Sequence, residues 1–188
     1  MRVIAGSARR LLLKAPQGLE TRPTSDKVKE TLFNMLMPYL YDTAFLDLYA
    51  GSGAIGIEAL SRGARKAVFV EKSKAAIACI QDNLKTTHFE DVSAVYKSDV
   101  FSALYMLKGK EKFDIVFMDP PYTMGLEKET LMILSQSGLL NEDALVIVEC
   151  SIDNDLAYVS QMGYEIEKVK EYKNNKHIFL RLRANSDC

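Results

Sequence analysis

Asp119-Pro120-Pro121-Tyr122 stands at the end of an apolar run, Phe113-Asp114-Ile115-Val116-Phe117-Met118. Its residue types suit one kind of chemistry, alkylation of an amino group carried by an aromatic ring. Such a nitrogen is a poor nucleophile because its lone pair is delocalised into the ring. Two fixed acceptors for its two N–H bonds would turn and polarise it. The Asp119 carboxylate is one, and the Pro120 carbonyl is the other. Each proline fixes its own φ and disfavours the helical region for the residue before it, so both acceptors are held. Tyr122 offers a face on which a base can stack. Asp119 need not be a strong base. The nitrogen turns acidic only as the new bond forms, so position and negative field carry most of the effect. Alone, the tetrapeptide is more often a rigid turn closing a strand, and it gains meaning from a second motif upstream.

That motif is Asp47-Leu48-Tyr49-Ala50-Gly51-Ser52-Gly53-Ala54-Ile55-Gly56, a G-x-G-x-x-G run between a strand pattern and a helix pattern. Gly51 would make the tight turn, Gly53 would let a ligand approach the backbone, and Gly56 would let the helix pack near the strand. Glu71 ends the next strand, where its carboxylate can accept from both hydroxyls of a ribose. A nucleoside-containing cofactor follows from this spacing. Asp47 narrows the choice. A dinucleotide presents a pyrophosphate to the helix N-terminus, where further negative charge is unhelpful. S-adenosylmethionine instead carries an ammonium that a carboxylate suits. The expected reaction is methyl transfer to an exocyclic amino group of a nucleobase. A paired base cannot reach such a pocket, so the substrate is single-stranded, looped or flipped out.

The elements that must position these residues can be read around them. The chain has 188 residues, enough for one domain. From residue 44 it alternates strand and helix, with strands at Phe45–Tyr49, Ala67–Glu71, Val92–Tyr96, Phe113–Met118 and Leu145–Glu149. Helical patterns cover Ile55–Arg62, Lys74–Lys85 and about 127–136 and 154–162. The spacing predicts an α/β fold, doubly wound and Rossmann-like, with a mostly parallel sheet. Tyr164–Tyr172 and His177–Arg183, joined by Lys173-Asn174-Asn175-Lys176, add an antiparallel C-terminal hairpin and bring the strand count to seven. Residues 1–23 form a basic N-terminal extension, a small hairpin in which Arg2–Ala5 and Arg9–Lys14 flank Gly6-Ser7-Ala8, and 24–188 form the catalytic core. Thr24, Ser25 and Asp26 offer caps for a helix that Pro38 should end.

Composition excludes several classes. The longest apolar runs are too short to span a bilayer, and the first residues lack the core of a signal peptide. Cys79, Cys150 and Cys188 are scattered without metal-binding spacing, which points to a reducing, cytoplasmic setting with no metal and no membrane. His88 and His177 are isolated. The net charge is −1, but residues 1–30 hold seven cations against three acids, a net +4 that leaves −5 for the rest. A basic arm on an acidic body suits a polyanion touching one end.

The N-terminal Arg2-Val3-Ile4-Ala5-Gly6, then Arg9-Arg10, then Arg22-Pro23-Thr24-Ser25-Asp26-Lys27 resembles the bacterial 16S rRNA guanine-N2 methyltransferases of the small subunit. The match continues through Asp47–Gly53 and Ile57–Ala64 to Asp119–Tyr122, and so covers nearly the whole chain. The glycine loop is similar to motif I of class I methyltransferases. The resemblance implies that Asp47, Tyr49, Gly51, Ser52 and Gly53 cradle S-adenosylmethionine, with Glu71 on the ribose and Lys72 beside the adenine. It places Asp99 on the adenine amino group with Val100 next to it, and Asp119 at the border of cofactor and base. Arg2, Arg9, Arg10, Arg22 and Thr24 would face RNA, on 16S rRNA in an assembling or assembled small ribosomal subunit. Two other enzymes share parts of the pattern. A DNA adenine-N6 methyltransferase has a similar tetrapeptide but needs more room for target recognition, and an NAD-dependent oxidoreductase leaves Asp119–Tyr122 idle. A non-catalytic RNA-binding assembly factor is the alternative outside enzymes.

Overall fold

The computed structural model describes residues 1–16, 25–122, 124–154 and 156–183. Arg22 and Thr24 lie outside the described residues. Seven strands form one sheet: β1 (Ala44–Leu48), β2 (Lys66–Glu71), β3 (Ser93–Lys97), β4 (Phe113–Met118), β5 (Leu140–Ser151), β6 (Tyr164–Glu171) and β7 (Asn175–Leu182). Their order is β3-β2-β1-β4-β5-β7-β6. β1 to β5 run parallel, while β7 pairs antiparallel with both β5 and β6. The closing hairpin therefore adds two strands, with the later one inserted next to β5.

Among the described residues, α1 (Asp26–Leu40) precedes the sheet and four helices link its parallel strands: α2 (Ala54–Ser61), α3 (Lys74–Thr87), α4 (Val100–Leu107) and α5 (Leu126–Ser137). They cover both faces, so the central strands are buried throughout and read as near-continuous apolar runs. One core layer gathers Leu46, Val68, Leu104, Val116, Leu131 and Val146, and the other gathers Phe33, Phe45, Ile57, Phe69, Phe117 and Ile147. Strand order reverses between β1 and β4, which creates the crevice where doubly wound sheets take their ligands.

Several expectations need correction. The first helix runs past Pro38 to Leu40, because in the last turn the ring removes only one terminal hydrogen bond. Ser25, one of the three cap candidates, caps it by accepting from the Val28 amide. α4 was not anticipated, although Val100, Ala103, Leu104 and Leu107 recur at helical spacing and are buried. Near 154–162 the chain forms a short 3-10 helix, Ala157–Met162, not an α-helix. The N-terminal hairpin is reduced to one antiparallel bridge, Arg2 to Leu12, with amide bonds from Val3 to Leu11 and from Leu13 to Met1.

This segment is nevertheless seated on the domain. Val3, Ala8 and Leu13 are buried against the layer containing Phe33 and Ile57. The amides of Ile4 and Ala5 donate to the two oxygens of Glu58 at 2.8 and 3.0 Å. Glu58 also binds Lys29 at 3.1 Å and Arg62 at 2.8 Å, and both Glu58 and Lys29 are 0% exposed.

Candidate active site

The register brings the two motifs to one edge. Leu48 pairs with Val70 on one side and Met118 on the other, and Met118 pairs with Val148. The residues that follow these partners, Tyr49, Glu71, Asp119 and Glu149, therefore stand side by side at the carboxyl ends of four parallel strands.

The glycine loop is built by backbone conformation. Tyr49 has φ +60°, a left-handed value that costs a non-glycine residue about 1 kcal/mol. Its hydroxyl is tied to Thr130 at 2.9 Å. Gly51 has φ +56°, and a side chain there would meet nothing within 4 Å, so its open side can take a ligand. At Gly53 the same test meets Ile80 and Phe69 at 3.3 Å, so the free approach lies over Gly51 instead. A Cβ on Gly56 would come within 2.4 Å of Phe69 and 3.2 Å of Asp47, which is the close helix–strand packing expected there. Ser52 is buried, and its carbonyl accepts from Asn83 at 2.9 Å. The same side chain of Asn83 grips the Lys14 backbone at both its amide and its carbonyl. Asn83 thus joins the loop to the N-terminal segment, a link with no signal in the sequence.

Asp47 is 1% exposed and accepts from the Gly56 amide at 2.9 Å. Burial pushes its carboxyl up to about 8; the Gly56 bond opposes the shift and the charge of Glu71 adds to it. Glu71 takes the Gly51 amide on one oxygen and the amides of Lys72 and Ser73 on the other. Its carboxylate is aimed, while the Lys72 side chain points to solvent. Asp99 caps α4 through the Ser102 amide at 3.0 Å, and that bond holds it below the usual carboxylate range. Val100 behind it is buried.

Asp119 receives no hydrogen bond from any described residue. Burial, then the charge of Glu149, then that of Asp47 raise it well above the usual carboxylate range. Pro120 is buried, whereas Pro121 and Tyr122 are exposed. The Tyr122 hydroxyl donates to Glu149 at 3.2 Å. Burial would raise Glu149 too, but donors from His177, Asn175 and Tyr122 bring it below its ordinary value. Glu149 already stood at the end of an apolar strand beside that of Asp119, a signal that could have found it. His177 had no such signal, because its partner lies on another strand.

Of the RNA-facing candidates, Arg2 is paired with Asp26 at 3.1 Å, while Arg9 and Arg10 are exposed. Lys29, one of the seven cations of the basic arm, is buried on Glu58, so the arm presents less charge than its sequence promises.

Five carboxylates, Asp47, Glu71, Asp99, Asp119 and Glu149, line this edge, and among the described residues none is paired with Lys or Arg. Burial raises Asp47 and Asp119, and a ligand with positive charge favours the ionised form of all five, whereas a pyrophosphate opposes it. A crevice with a glycine turn, a ribose-spaced acid and this charge fits S-adenosylmethionine better than a dinucleotide.

The family model for conserved hypothetical protein 95 matches residues 1–181. Ribosomal RNA small subunit methyltransferase D of Escherichia coli (strain K12) is 39% identical over 159 residues, covering 85% of this chain and 79% of that protein. The protein of the same name from Haemophilus influenzae is 39% identical over 159 residues, covering 83% and 81%. The solved structure of Escherichia coli yhhF superposes with a TM-score of 0.84 at 34% identity, covering 98% of this chain and 99% of that one. With its seven-stranded sheet, its glycine loop and these relatives, the chain belongs to the family described as conserved hypothetical protein 95.

Proposed function

We propose that the chain transfers a methyl group from S-adenosylmethionine to the N2 amino group of one guanine in 16S rRNA of the small ribosomal subunit. The observation that carries this reading is Asp119, a partly buried acid with no hydrogen-bond partner among the described residues, beside a crevice lined with carboxyl groups. Two relatives, each sharing 39% of aligned residues, are named for small-subunit rRNA methylation, and their names support the choice of substrate.

When bound, S-adenosylmethionine supplies an electrophilic methyl on a sulfonium. Asp47 would hold the ammonium, Glu71 the ribose hydroxyls and Asp99 the adenine amino group, with the backbone at Gly51 beneath them. Burial and two neighbouring carboxylates raise Asp119 well above the usual carboxylate range. Positive charge in the crevice shifts it toward the ionised form. The ionised carboxylate and the Pro120 carbonyl then accept the two N–H bonds of the amino group and aim its lone pair. Tyr122 stacks on the ring, and Arg9 and Arg10 grip phosphates.

The test is methylation of small subunits isolated from cells lacking this protein, using labelled cofactor, with duplex DNA in parallel. Label on one guanine N2 is expected. Label in DNA alone would overturn the reading, as would calorimetry in which NADH binds and S-adenosylhomocysteine does not.

A further inference from the structure

Glu149 is 5% exposed, and three donors hold its carboxylate. Asn175 Nδ2 donates to Oε1 at 2.6 Å, and His177 Nε2 lies 2.9 Å from Oε2. Both come from β7, inside the sheet. The third, the Tyr122 hydroxyl on Oε1, is the longest at 3.2 Å and comes from a loop residue that is 45% exposed. His177 is fixed edge-on against Phe117 and Tyr172, and its Nδ1 lies 3.2 Å from the Tyr172 hydroxyl. With that hydroxyl donating to Nδ1, the ring proton sits on Nε2 and faces Glu149. Two grips are thus built into the sheet, and one is exchangeable.

The space behind Pro120 and Tyr122, bounded by Glu127, Glu149 and Asn154, is a cavity of about 40 Å³. That holds water but no purine, so a base that reaches Oε1 of Glu149 must take the place of the Tyr122 hydroxyl. Its departure frees one acceptor position on Oε1, beside Asp119.

We propose that Glu149 is the base-edge subsite of this corner: the N1–H of the target guanine replaces the Tyr122 hydroxyl on Oε1 as Tyr122 turns to stack on the ring. The proposal rests on the guanine reading above and deepens it. An ionised carboxylate only accepts hydrogen bonds. Guanine presents N1–H next to its N2 amino group, two donor groups in a row that Glu149 and Asp119 can take together. Adenine N1 and cytosine N3, beside their own amino groups, are acceptors and would face the carboxylate lone pair to lone pair. Selection arises from repulsion as well as attraction.

The experiment compares guanine with 2-aminopurine, which keeps the amino group but lacks the proton on N1. Small subunits carrying either base at the mapped position are methylated by the wild-type protein and by Glu149→Gln. Wild type should prefer guanine about 10- to 100-fold in kcat/KM. Glu149→Gln, whose amide can donate to N1, should narrow that ratio to about threefold, with Kd for S-adenosylhomocysteine changed by less than about threefold. An unchanged ratio in the variant overturns the subsite. If the variant fails to fold, wild type alone decides, since equal rates on the two bases would overturn it. Failure of wild type to methylate guanine in any subunit would sink the broader functional reading, and the subsite with it.

Discussion

Glu58 and Asp119 are acids in the same domain, and the fold treats them in opposite ways. The carboxylate of Glu58 takes two amides, an ammonium and a guanidinium, and its partner Lys29 also donates to the Arg2 carbonyl. Every lone pair is used, and the cluster seats the N-terminal segment against α1 and α2. Asp119 has burial and two acids around it and no donor among the described residues. Burial and like charges disfavour the ionised form of such an acid, and groups perturbed in this way concentrate at functional sites. The difference separates an acid that holds the molecule together from one kept ready for something absent.

The sharpest way to break this contrast is to delete each acid. Asp119→Ala should lower transfer at saturating substrate about 10³-fold, roughly 4 kcal/mol. Kd for S-adenosylhomocysteine should stay within about tenfold, and the melting temperature at neutral pH should not fall. Retained transfer would move the chemistry elsewhere. Glu58→Ala should do the reverse, costing about 3–5 kcal/mol in urea unfolding by stranding Lys29. A loss below about 1 kcal/mol would show that the cluster is not what fixes the arm.

Asp47 tests the intermediate case. Its carboxyl, pushed up to about 8, binds its proton more tightly in the fold than in the unfolded chain, where it titrates near 4. The fold therefore loses stability as pH rises from about 4 toward 8. Asp47→Asn removes that loss, so it should stabilise the ligand-free protein by about 1–2 kcal/mol at pH 8, and not at pH 4, while weakening cofactor binding. Thermal melts at the two pH values check the sign. Glu149→Gln removes one of the two charges that raise Asp119, the other being Asp47. The acid limb of the kcat/KM profile should move down by about one pH unit. An unmoved limb would mean that another group titrates there. The smallest effect concerns the arm. Arg9→Ala with Arg10→Ala should flatten the salt dependence of RNA binding by up to about two units of slope, and an unchanged slope would remove both from the interface.

What could be read in the sequence, and what could not, follows the same divide. Asp47–Gly56 and Asp119–Tyr122 are continuous segments whose local geometry follows from glycine, proline and strand pattern, so they were legible. That β1 to β5 run parallel follows from alternating strands and helices, whereas alternation leaves their order β3-β2-β1-β4-β5 open. The partners of Glu149 were not legible, because Asn175 and His177 reach it only after β7 inserts against β5. His177 looked isolated for this reason alone. Lys29 read as a surface cation because nothing near it in the chain announces Glu58. Asn83 lies within the helical pattern Lys74–Lys85 and nothing near it in the chain marks it, although it clamps both the glycine loop and Lys14.

The insertion of β7 also sets an order of assembly during synthesis. β1 to β4 and the glycine loop are complete well before the ribosome has made Asn175 and His177. A chain that has not yet made β7 leaves Glu149 without Asn175 and His177, its two strand-borne partners. If Glu149 selects the base as proposed above, this last-made strand is what fixes it for that role.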